Sequence, residues 1–157
     1  MKLDTIDLKL IELLQHNCKQ TTKELADQLS LSSTAVFERV KKLERQQIIT
    51  DYVAIVNKDK INRSFMSMSH VKIKSHSKDA IIRFEKKIHQ IPEVLECFHV
   101  SGEYDYILKI GVEDMEAYRE FMLSKLTTME EVQSTHSMFV IKEVKNLKTY
   151  SILKSNE

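Results

Sequence analysis

The chain has 157 residues, with 24 lysines and arginines against 23 aspartates and glutamates, a formal net charge of +1 and 42% apolar residues. So high an apolar fraction with so little net charge excludes intrinsic disorder, and no apolar run approaches the roughly 18 residues of a membrane-spanning helix. Two glycines and one proline leave no glycine-rich phosphate loop, which removes most nucleotide-dependent enzyme classes. The N-terminus MKLDTIDLKL is charged throughout and lacks the apolar core of a signal peptide. Cys18 and Cys97 form no CxxC or disulfide-type spacing, as expected of a reducing compartment. A cytoplasmic protein with no membrane partner is expected.

In chain order, Ile6, Leu10, Leu13 and Leu14 make one apolar helix face, with Asp4 as cap and Asp7 in the first turn. A second helix opens on Thr21 and Glu24 at capping-box spacing, buries Leu25, Ala26 and Leu29, and ends near Ser30. A third starts at Ser32 or Ser33, buries Val36, Val40 and Leu43, and runs to about Gln47. Only Ser30-Leu31-Ser32 separates the last two, which is a helix-turn-helix arrangement. IITDYVAIV then reads as a strand pair bent at Thr50-Asp51, a small β wing. VNKDKINRSF is polar and charged, a linker.

The rest alternates strand and helix. FMSMSHVKIK is a strand whose alternation slips near Ser69-His70. Ser77 caps a helix with Ile81, Phe84, Ile88 and Ile91 on one face, and Pro92 stops it. VLECFHV and YDYILKIGV are strands joined at Ser101-Gly102-Glu103, with glycine where the turn needs a positive φ. Asp114 caps a helix buried through Tyr118, Phe121, Met122 and Leu126. STHSMFVIKEV is a last strand, and LKTYSIL is a candidate for one more. The expected class is α+β: an N-terminal winged helix-turn-helix at 1–52, a linker at 53–64 and a ferredoxin-like βαββαβ, ACT-like lobe at 65–157. Its helices cover one sheet face, and the strands are too apolar to leave the other wet, so face-to-face dimerisation is expected.

A recognition helix puts its N-terminal residues at the base edges of the major groove. Here those are Ser32, Ser33 and Thr34, and an exposed stripe of Glu38, Arg39, Lys41, Lys42 and Arg45 follows. Thr21 and Thr22, at the start of the preceding helix, suit a phosphate. Residues 1–60 hold 10 basic and 9 acidic side chains, so double-stranded DNA as partner rests on this arrangement, not on bulk charge. The six histidines show no metal-ligand spacing, with His70 and His76 flanking one strand end and His99 and His136 read as lying on neighbouring strands. No catalytic cluster, metal site or cofactor is expected. The segment Ser101-Gly102-Glu103-Tyr104-Asp105-Tyr106 has two readings. One is a corner that holds a small zwitterion, backbone N–H groups for its carboxylate and Asp105 for its ammonium. The other is a plain hairpin with packing tyrosines.

Taken in order, LDTIDLKLIELLQHN, LSLSSTAVFERVKKLERQQII, VSGEYDYILKI, DMEAYREFM and EEVQSTHSMFVIKEVK resemble the Lrp/AsnC family of leucine-responsive and asparagine-responsive transcription regulators over about residues 3–150. The resemblance implies a winged helix-turn-helix and a C-terminal lobe that dimerises, assembles into octamers and binds amino acids between dimers. It matches Ser32, Ser33, Thr34 and Arg39 to the DNA-facing helix. Gly102, Tyr104 and Asp105 match the effector loop, and Thr135 and Ser137 match a late strand that closes the pocket from a neighbouring dimer. Ser33 and Ala35 stand where relatives commonly carry proline, and His136 and Met138 stand where relatives vary, so effector identity does not carry over. The expected function is a DNA-binding regulator responsive to an amino acid. Its rivals are an enzyme of the related haem-precursor decarboxylase type, and an amino-acid sensor acting only through proteins.

Overall fold

Each of the first three helices begins at a side chain that takes up its free N–H groups. In the computed structural model of the chain, described at residues 3–147 and 149–152, α1 spans Thr5–His16, α2 Thr22–Leu29 and α3 Ser33–Arg45. The Asp7 N–H donates to Asp4 at 2.7 Å and the Ala35 N–H to Ser32 at 3.2 Å. Thr21 and Glu24 form the expected reciprocal capping box, at 2.6 and 3.2 Å. Ser30 adopts the left-handed conformation (φ 55°), and the Leu31 N–H reaches the Ala26 carbonyl at 3.0 Å. That closes the turn between α2 and α3 within three residues. Leu10, Leu14, Leu25, Val36 and Leu43 form the core of this unit.

One charge is sealed into that unit. Asp7 is fully buried and accepts from Arg39 at 2.6 Å and Lys42 at 3.1 Å, while Arg39 also pairs with Asp4 at 2.7 Å. Burial pushes the Asp7 carboxyl up, but the bonds from Lys42 and Arg39 outweigh it and hold it below the ordinary aspartate value. The two cations thus fasten α3 to the start of α1.

The strand pair expected over IITDYVAIV does not form. Residues 48–57 contain no strand. The physical reason lies at the bend: Thr50-Asp51 lacks the Asn-Gly or Gly chemistry that a two-residue hairpin turn needs, and an isolated two-stranded ribbon is marginal in water. Tyr52, Val53, Ile55 and Val56 are left exposed.

The second unit contains β1 (Phe65–Ile73), α4 (Lys78–Ile88), β2 (Val94–His99), β3 (Tyr106–Val112), α5 (Met115–Phe121) and β4 (Val132–Phe139). The sheet order is β2-β3-β1-β4, with every pair antiparallel, which is the βαββαβ arrangement expected. Val71, Ile73, Tyr106, Leu108, Ile110 and Val112 face the helices and pack on Phe84, Ile88, Tyr118, Phe121 and Leu126. The slip in β1 is not a break. Ser67 and Ser69 point into the helix-facing layer as fully buried residues, because their hydroxyls bond one another at 3.2 Å and Ser69 meets Tyr118 and Ser137 at 3.0 and 3.1 Å. The last strand is also shifted, beginning at Val132 and ending at Phe139 instead of covering 134–144. No strand forms at residues 147 and 149–152 of LKTYSIL; Lys148 and Leu153 lie outside the described residues.

The described residues divide into two compact units, 3–55 with 145–147 and 149–152, and 56–144. The sequence reading placed everything after 65 in the second lobe. The difference arises at the C-terminal segment, where Gln15 exchanges two hydrogen bonds with the Tyr150 backbone (3.0 and 2.8 Å) and Ile152 packs on the first unit's core.

A carboxylate held low in the folded chain contributes its stability in full above its unfolded-state pKa of about 3.9, and loses it as pH falls through the folded value. Asp7→Asn is therefore expected to cost about 3 kcal/mol at neutral pH by leaving Arg39 and Lys42 without their buried partner. In urea titrations the gap to the wild type should be constant down to about pH 4 and shrink below it. A gap that does not change with pH contradicts a charged Asp7.

Candidate nucleic-acid interface and effector loop

The helical period sorts α3 into two faces. Val36 and Leu43 are buried, whereas Ser32, Ser33, Thr34, Phe37, Glu38, Lys41 and Arg45 are exposed. Two expected members of the outer stripe belong elsewhere: Arg39 and Lys42 are half-buried, turned along the helix onto Asp7. This corrects the stripe, since a guanidinium bonded to two carboxylates is not presented to a groove. The signal for it was in the sequence, as Asp7 stands among apolar residues and needs cations to be buried. Thr21 is exposed but engaged in its capping box, and Thr22 is half-buried beside it. Phe37 was missed. It is 49% exposed, with the Lys41 ammonium 5.8 Å from its ring centroid.

In the second unit, Ser101, Gly102 and Glu103 are exposed in the connection between β2 and β3. Gly102 has φ +132°, and a Cβ added there would meet nothing within 4 Å, so backbone conformation and not crowding selects glycine. Asp105 turns inward. Its carboxylate accepts the Ile73 N–H at 2.8 Å and meets His76 Nε2 at 2.7 Å, and its own N–H donates to the Val71 carbonyl. Burial pushes this carboxyl up, but the Ile73 N–H and His76 bring it below the ordinary range. The loop is thereby tied to the end of β1.

Tyr104 lies on the sheet face opposite the helices. Its ring centroid is 5.0 Å from that of His70 and 6.2 Å from that of His136, and the two histidines are stacked at 6.0 Å. His70 and His136 are cross-strand partners in β1 and β4, which corrects the reading of His99 and His136 as neighbours. His99 pairs with Tyr106 across β2 and β3, at the other side of the sheet. Neither histidine of the stacked pair was among the expected site residues; only a strand register reveals it. Thr135 and Ser137 alternate with His136 and so face the helix side, where Ser137 bonds Ser69 and Tyr118. Leu95, Phe98 and Met138 leave the open sheet face markedly apolar, at 56, 48 and 46% exposed. Among the described residues no group of three His, Cys, Asp or Glu side chains is placed to hold a metal, and no helix is long and apolar enough to cross a membrane.

Residues 3–50 match the family profile described as winged helix-turn-helix DNA-binding, and residues 67–150 match that of the Lrp/AsnC ligand binding domain. The chain belongs to the Lrp/AsnC family. Among its relatives in that family, the Bkd operon transcriptional regulator of Pseudomonas aeruginosa is 32% identical over 91% of this chain and 94% of its own length. The leucine-responsive regulatory protein of Haemophilus influenzae is 34% identical over 91% and 86%. A transcriptional regulator of Neisseria meningitidis, solved as a complex with L-methionine, superposes with a TM-score of 0.90 at 34% identity, covering 96% of this chain and 97% of that one. Escherichia coli AsnC gives 0.85 at 25% identity, covering 93% and 97%.

Gly102→Ala tests the loop geometry. With open space around the added methyl, the expected loss is the backbone strain alone, about 1–3 kcal/mol in urea unfolding. A variant as stable as the wild type contradicts the positive φ.

Proposed function

We propose that this Lrp/AsnC chain is a cytoplasmic regulator that binds operator DNA through α3 and an amino acid at the Gly102–Asp105 loop. The observation that carries the reading is the division of labour on α3: Ser33, Thr34 and a mixed outer face are exposed, while the cations that would otherwise cover it hold the helix from behind. The amino-acid part is supported by Tyr104 on its two histidines and by an ionised Asp105 beside an exposed glycine turn. A carboxylate has about four acceptor positions, so Asp105 can receive an effector ammonium while it keeps the Ile73 N–H. Ser101, Gly102, Glu103 and Tyr104 line the approach, whereas the Ser137 hydroxyl is spent on Ser69 and Tyr118 inside its own subunit and, with Thr135 on the same face of β4, is left out of the pocket. Two copies pair through the open sheet face of Leu95, Phe98 and Met138, and dimers assemble to an octamer. The effector biases that assembly by its differential affinity, and the assembly sets the spacing of the DNA-binding units. Its role is binding, not catalysis, in keeping with buried Asp7 and Glu131 that are each neutralised by cations.

Two titrations test this. Anisotropy against selected DNA should show log K falling with log salt at a slope of about −5 to −7, for some 6–8 phosphate contacts by a dimer. A slope near zero removes DNA as the partner. A thermal-shift screen of the twenty amino acids should show at least one that raises the melting temperature of the wild type. Asp105→Asn should abolish that shift and keep the DNA affinity. A shift that survives the substitution moves the effector away from this loop.

A further inference from the structure

We infer that Phe37 reads a thymine: its ring packs on the C5-methyl group of one T at a fixed position of the recognised sequence. The inference rests on α3 entering the major groove. Ser33, Phe37 and Lys41 are spaced i, i+4, i+8 and form one line along the outer face of α3. At one end of the line are short hydroxyls, suited to base edges. At the other is an ammonium suited to a phosphate. Phe37 lies between them, half-exposed, and contributes to neither the core nor a cap. A large aromatic side chain left in water at that point gains by burial against whatever α3 docks on.

The neighbouring groups narrow what that is. Arg39 and Lys42 are committed to Asp7, so the middle of the helix presents no guanidinium for the bidentate contact with guanine. Glu38 stands beside Phe37 on the outer face, and its carboxylate disfavours a phosphate there. Lys41 bonds Glu44 at 2.8 Å, an exposed pair that is weak and readily exchanged for a phosphate oxygen. What remains at position 37 is an apolar contact with a base edge. Of the four bases in the major groove, only thymine offers an apolar group.

The test uses the full-length chain. A bound site is first selected from random duplex DNA, and each T in it is then replaced singly by deoxyuridine, which lacks only the methyl group. At one position the wild type should lose affinity about fourfold, the factor for one methyl group removed from a buried contact. Phe37→Ala should bind the T and U versions of that site equally. Phe37→Leu should keep part of the difference, which also guards against a misfolded alanine variant. Tolerance of deoxyuridine at every T overturns the role of Phe37 alone, as does an alanine variant that still discriminates. A selection that enriches no sequence overturns this inference together with the DNA-binding reading beneath it.

Discussion

A carboxylate without access to water orders the N-terminal unit. Asp7 lies in the first turn of α1, and its burial is tolerable only because Arg39 and Lys42 reach it from α3. The pairing is directional. A guanidinium and an ammonium three residues apart on α3, both drawn to one point on α1, fix the rotation of α3 about its axis as well as its distance. Apolar packing through Val36 and Leu43 would fix the distance but tolerate some roll. The ion cluster therefore determines which side chains face outward, Ser33, Thr34 and Phe37 among them.

The second unit uses an acidic side chain in a different way. Asp105 is a hinge pin between the β2–β3 connection and the end of β1, through the Ile73 N–H and the His76 ring. The loop that carries Gly102 and Tyr104 thus moves with the sheet and not independently of it. Tyr104 in turn rests on His70 and His136, so the β2–β3 connection and strands β1 and β4 share one aromatic cluster at the open face. A group that displaced Tyr104 would be felt in β1 and β4 at once.

Much of this was legible in the chain itself. The helices were marked by their caps at Asp4, Thr21, Ser32, Ser77 and Asp114, each of which bonds the N–H that its spacing promised. The sheet order followed from the βαββαβ succession. What was not legible depended on partners distant in sequence. Arg39 looks solvent-facing until Asp7 is brought beside it, and His70 and His136 are unrelated until a register pairs them. The strand pair over IITDYVAIV does not form for a local reason available in principle, a turn without glycine or asparagine, yet the apolar run of Val53, Ile55 and Val56 masked it. Ser67 and Ser69 broke the strand alternation because hydroxyls that satisfy one another can be buried like methyls.

That last feature constrains how the sequence can vary. Ser67, Ser69, Tyr118 and Ser137 occupy a seam in which every oxygen relies on a neighbour's oxygen, and the tyrosine ring takes up the volume that three small residues forgo. Replacing one member leaves the others orphaned or crowded, so single steps are penalised while a matched set of aliphatic residues would fit. Drift at these four positions should be concerted, and a half-completed exchange is the state that selection removes.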